Sequence, residues 1–265
     1  MPRATSRPWT RVELIVAFNL YCQLPFGRLH QRAPEIIRLA VLFDRSPGSV
    51  AMKLVNIASL DPAITANGRK GLGNASAADR AVWAEFHADW DALALESAQI
   101  QQGLVAARGD PVEAVEIDGS EAIDEVIDHA GLNRTSIVQV RVKQAFFRKA
   151  VLASYEGRCC ITGLSHRRLL VASHIVPWAA DSKNRLNPRN GLCLSSLHDK
   201  AFDAGLLTVS EDHRIVMSAA LQSLADEAFA ITSLLAYAGK KIRMPQKFTP
   251  DEAFLEHHRT VVFLG

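Results

Sequence analysis

The sequence predicts an α+β chain in two parts: an all-helical N-terminal unit, then a unit in which two short strands lead into a helix. Three observations carry this. Residues 1–104 keep apolar residues at helical spacing, punctuated by helix-start signals. Residues 105–137 are acidic and poor in aromatics, which reads as a linker. From residue 138 the pattern shifts to one long helix followed by short apolar runs bounded by turn residues.

The elements follow in order. Thr10 can cap a helix over Arg11–Cys22, with Glu13 in the capping-box position and Leu14, Ala17, Phe18 and Tyr21 on one face. Pro34 suits a first turn and is followed by Ile36, Ile37, Ala40, Val41 and Leu42. Ser46 and Pro47 open a third helix carrying Val50, Met52, Leu54 and Val55. Three helices with a short turn before the third outline a helix-turn-helix. Trp9-Thr10-Arg11-Val12-Glu13 resembles the start of a Myb/SANT-type tri-helical domain. Lys53 on the third helix, with Arg69 and Lys70 in the glycine-containing loop 59–74, are candidate DNA contacts. The alternative for this unit is dimerisation or protein contact. One further helix is expected from Ser76 to about Gln102. A short helix at Glu121–His129 is expected inside the linker.

In the C-terminal part, residues 138–265, a helix is expected over Val142–Tyr155 and a strand entering a turn over Gly157–Gly163. A strand is expected at Leu169–Ile175, a short strand or turn at Asn190–Leu194 and a helix at Ser196–Phe202. A closing hairpin should pair 205–209 with 214–217.

Composition limits the function classes. No apolar run is long enough for a membrane span and the N-terminus lacks an apolar signal core, so a cytoplasmic protein is expected. Cys22, Cys159, Cys160 and Cys193 include no CxxC, so no cysteine zinc site is expected. The net charge of +2 hides a balance of +6 over residues 1–75, −11 over 76–133 and +7 over 134–217. Two basic blocks around an acidic one suit contact with a polyanion.

The chemistry concentrates in Ser173-His174-Ile175-Val176-Pro177-Trp178, Asn190-Gly191-Leu192 and Leu197-His198-Asp199. Phosphodiester hydrolysis needs a base to deprotonate water, a cation on the phosphate, and something that orients the base. A strand-end histidine, a loop asparagine and a ligand on a facing helix could supply them. With Leu152-x-x-Tyr155-x-Gly157-x-Cys159 before it and Phe202-Asp203-x-Gly205 after it, this run is similar to a subgroup of HNH endonucleases of bacterial restriction systems, some modification-dependent.

The resemblance implies a ββα-metal fold. It also implies His174 as general base, Asn190 as the loop-holding residue and His198 as metal ligand, with Asp203 and Ser173 as secondary candidates. Many such sites place an aspartate immediately before the base, where this chain has Ser173. A Mg²⁺ or Mn²⁺ cofactor, a DNA substrate, phosphate contacts from Arg158, Arg167 and Arg168, and a homodimer able to cut both strands are expected in consequence. The alternative reading is a DNA-binding protein whose HNH unit is inert.

Overall fold

The computed structural model describes residues 7–66, 68, 73–108 and 134–265. Helix α1 (Arg11–Gln23) starts on the expected capping box: Thr10 accepts from the Glu13 amide, and Glu13 bonds back to the Thr10 amide. Its flanks are buried almost all round, because it runs through the centre of the helical unit. Helix α2 (Pro34–Phe43) ends at Asp44 in the left-handed region, φ 52°. Ser46 then caps α3 (Pro47–Ala58), so a three-residue turn joins the two. A short α4 (Pro62–Ala66) follows.

The single helix expected over 76–102 is two. Helix α5 (Ala77–Ala88) stops at Asp89, whose extended backbone caps α6 (Trp90–Ala107) by accepting from the Ala92 amide. An aspartate side chain competes with the helix for a nearby amide and makes a better cap than an interior residue. The break packs Phe86 and Trp90 against each other at 5.8 Å and both against Phe18. The helix expected at Glu121–His129 lies outside the described residues.

Helix α7 (Arg134–Ser154) starts eight residues earlier than expected and packs on α1, α6 and the strands. The expected strand at 157–163 is a chain of turns, with Gly157 and Gly163 at positive φ. Strand β1 (Leu170–His174) pairs antiparallel with β2 (Gly191–Ser195), from Leu170↔Ser195 at one end to His174↔Gly191 at the other. Helix α8 (Ser196–Asp203) follows directly and packs back on both strands. The hairpin β3 (Leu207–Val209) and β4 (Ile215–Met217) closes the unit. Short helices α9 (Ala219–Gln222), α10 (Ala228–Ser233) and α11 (Glu252–His257) complete the chain, the last widening into a π turn over His258–Val262.

One buried cluster runs without a break from Leu14 and Phe18 through Trp90 and Phe146 to Leu192 and Phe202. The C-terminal segment also reaches back. Lys247 is fully buried and donates to the carbonyls of Tyr21, Cys22 and Leu24 at 2.5, 3.1 and 2.7 Å, finishing the open end of α1. Its ammonium lies 4.4 Å from the Tyr21 ring centroid. Burial pulls its pKa down to about 8, with Cys22 and Asp61 opposing, so it stays charged at neutral pH. Next to it the Phe248 amide donates to Asp61, which also accepts from the Tyr21 hydroxyl. Among the described residues no helix is long and apolar enough to cross a membrane.

Candidate active site

The site is built at the end of the β1–β2 ribbon where His174 faces Gly191. Side chains alternate along a strand, so His174, Ala172 and Leu170 face α7 while Ser173 and Val171 face the other way. Gly191 is there for space. A Cβ on it would come within 2.3 Å of Val151 Cγ2 and 3.0 Å of Phe147 Cζ. Its absence lets α7 close on the ribbon and bring the Phe147 ring flat against His174, centroids 3.9 Å apart and planes 7° apart. Trp178 meets the same imidazole edge-on at 5.5 Å.

His174 Nε2 lies 2.9 Å from the Arg185 carbonyl oxygen. A carbonyl only accepts, so Nε2 carries the proton and the neutral ring keeps its lone pair at Nδ1. Burial lowers the His174 pKa to about 4, with the Arg185 carbonyl acting against it. The imidazole is therefore neutral at physiological pH.

Asn190 is buried and holds the 175–190 loop. Its Oδ1 accepts from the Val176 amide at 2.8 Å, and its Nδ2 donates to the carbonyls of Val176 and Asn184 at 3.2 and 3.3 Å. Asp181 ties the far side of the loop to the Lys183 and Asn184 amides. Arg185 spans it, donating to the Trp178 carbonyl. These bonds fix the carbonyl that fixes His174.

His198 points elsewhere. Its Nδ1 pairs with Ser195 Oγ at 2.8 Å, at the opposite end of the ribbon from His174. Those ends are four residue steps apart, about 13 Å along the strands. The ring is buried edge-on to Tyr237, with Nε2 buried and unpartnered. Burial lowers its pKa. Successive helix residues differ by about 100°, so the next residue takes the position facing β1. Asp199 lies beside the Ser173 hydroxyl, which helps hold the carboxylate ionised, while desolvation acts more strongly and raises its pKa. Ser173 Oγ is buried and makes no full hydrogen bond.

Sequence reading missed Asp199, although the signal was present: His198, Ala201 and Phe202, at i, i+3 and i+4, form the buried stripe of α8. That spacing turns His198 inward and Asp199 toward the strand. Asp203 is exposed at the last position of α8.

Asp199 and Ser173 offer hard oxygen donors, one of them buried and incompletely bonded, and this donor set fits a hard divalent cation. Among the described residues no three His, Cys, Asp or Glu side chains converge on one point. A cation bound there would take most of its ligands from water and substrate oxygens.

The candidate DNA contacts divide. Arg167 and Arg168 are exposed on the 3-10 turn leading into β1, and Arg158 is exposed near Gly163. Lys53 is a correction. It is buried, with Nζ 2.8 and 3.0 Å from the two oxygens of Asp79, and is not available to a phosphate. Arg45, beside it in the turn, is likewise spent on Glu13 and on the carbonyls of Arg7 and Pro8. Burial pushes the Glu13 carboxyl up, but the bonds from Arg45, Thr10 and Arg7 outweigh it and hold it down at about 2. Lys53 and Arg45 hold the helical unit together instead. Arg69 and Lys70 lie outside the described residues.

Residues 159–210 match the family model described as HNH endonuclease. The match covers β1, the asparagine-held loop, β2 and α8, and leaves the N-terminal helices and the tail outside. No curated protein matches the chain.

Proposed function

We propose that this chain is a metal-dependent DNA endonuclease, with His174 as general base and Asp199 and Ser173 as the protein's cation ligands. The observation that carries the reading is the tautomer of His174. Its proton is held on Nε2 by the Arg185 carbonyl, one residue along β1 from Ser173, within a segment that matches HNH endonucleases. In the reaction His174 Nδ1 takes a proton from water and the water oxygen attacks phosphorus. The bond from phosphorus to the leaving sugar oxygen breaks, and that oxygen leaves with a proton from solvent. A bound divalent ion would supply positive charge to the phosphate oxygens and the leaving oxygen. Asn190 acts through the loop, by keeping the Arg185 carbonyl in place.

Arg158, Arg167 and Arg168 would meet the substrate backbone. The N-terminal helices serve this reading as a rigid platform fused to the nuclease unit. A restriction role, dependence on cytosine modification, a homodimer and a cytoplasmic site of action complete the proposal, as does the division into a helical unit 1–104, an acidic linker 105–137 and a nuclease unit 138–265. The inert-HNH alternative is favoured by one observation, a serine where many such sites carry an aspartate.

One experiment separates the two: cleavage of matched unmodified, methylated and hydroxymethylated DNA by wild type and His174→Ala, with Mg²⁺ or Mn²⁺. Cutting lost in the variant supports the nuclease. DNA bound but never cut supports the inert binder.

A further inference from the structure

A hydrogen bond to a ring nitrogen sets the direction of that nitrogen, and a stacked ring sets the plane of an imidazole. The Arg185 carbonyl aims His174 Nε2. The face of Phe147 sets the plane, since two rings 3.9 Å apart and 7° from parallel cannot rotate independently. Phe147 is itself fixed. It is buried on α7, and the position opposite His174 is a glycine whose Cβ would collide with Val151 and press on Phe147. Arg148 of α7 donates to the carbonyls of Leu170 and Arg167, and Arg185 to the carbonyl of Trp178.

We propose that Phe147, spaced by Gly191, is a positioning residue that sets the plane in which His174 meets its water. The proposal rests on the assignment of His174 as base. It differs from ordinary core packing in one respect: packing needs the volume of Phe147, positioning needs its flat face.

The test uses the full chain as wild type, Phe147→Leu and Phe147→Tyr, with His174→Ala to assign the imidazole signals. Phe147→Leu keeps an apolar side chain without a ring and should lower kcat by about tenfold to 100-fold, leaving KM within about twofold. Phe147→Tyr should restore most of the rate. In proton–carbon spectra of the histidine rings, the His174 signals should sit upfield, under the ring current of Phe147, in wild type and the tyrosine variant, and move downfield in the leucine variant. Unchanged kcat in Phe147→Leu, failure of tyrosine to rescue, or a His174 signal that does not move would each overturn the proposal. If the leucine variant does not fold, Phe147→Met takes its place, being unbranched and near in volume. If the wild type cuts no DNA, the nuclease reading falls, and the ring signal alone decides whether Phe147 holds His174.

Discussion

Two histidines at different places in this molecule have nearly the same surroundings. His174 lies flat on Phe147 and donates from Nε2 to the Arg185 carbonyl; His258 lies flat on Phe202, 3.6 Å and 9° away, and donates from Nε2 to the Phe202 carbonyl at 3.1 Å. Burial brings both pKa values to about 4, and in each the carbonyl acts in the opposite sense. They differ in exposure. The Thr208 hydroxyl donates to His258 Nδ1 at 2.8 Å, and the ring is buried. His174 is only partly buried, at the ribbon's end. A stacked, neutral, tautomer-fixed imidazole is therefore not a signature of catalysis. In the nuclease reading proposed above, its placement at an accessible edge is what separates a base from a rivet.

The comparison can be broken most sharply by removing each ring. His174→Ala should cut the cleavage rate by about 10²- to 10⁴-fold with a nearly unchanged melting temperature. His258→Ala should leave the rate per folded molecule intact and cost about 2–3 kcal/mol, a fall of about 5–10 °C in Tm. Equal effects of the two on rate would end the distinction. Asp199→Asn tests the proposed cation ligand: cleavage should fall, and the Mg²⁺ concentration for half-maximal rate should rise at least about tenfold, since a hard cation would lose its carboxylate.

Two glycines sharpen it further. Gly191→Ala forces α7 off the ribbon and should lower both rate and stability. At Gly205, φ is 68° and a Cβ would come within 2.2 Å of the Val262 carbonyl, close to where His258 begins the last turn. Gly205→Ala should lower stability alone, read as Tm against rate per folded molecule.

The pH dependence of unfolding gives a smaller effect. A histidine that titrates near 6.5 unfolded and about 4 folded adds stability that is complete above pH 6.5 and is lost as pH falls toward 4. The slope contributed by His258 is at most about 1.4 kcal/mol per pH unit. Urea unfolding from pH 7.5 to 4.5 should show a shallower acid loss in His258→Gln than in wild type. Smallest of all is the effect of one surface cation: Arg167→Gln should reduce the salt slope of DNA binding by about 1, while Lys53→Met leaves that slope unchanged.

Local rules were legible where a cap or a period decides. Thr10 with Glu13, Ser46 with Pro47, and the strands around His174 and Gly191 all stand close to where the sequence puts them. Rules failed where a distant partner decides. Asp89 breaks a helix whose apolar period runs straight through it, because Phe18 on another helix gathers Phe86 and Trp90. Lys53 reads as a surface cation until Asp79, 26 residues on, is seen to hold it. In the site, the asparagine's hold on its loop and the glycine's place beside it follow from the motif. The choice between His198 and Asp199 turns on the rotation of a single helix, which its buried stripe encodes more clearly than its chemistry does.

Lys247 sets an order in time as well as in space. A ribosome releases α1 early, but the side chain that closes its last carbonyls is 226 residues downstream of Tyr21. Until that lysine emerges, the helix ends in water and Asp61 lacks the Phe248 amide. The helical platform of the emerging chain is finished only after the entire β1–β2–α8 segment has been made, so the first part of the chain to be synthesised is among the last to be completed.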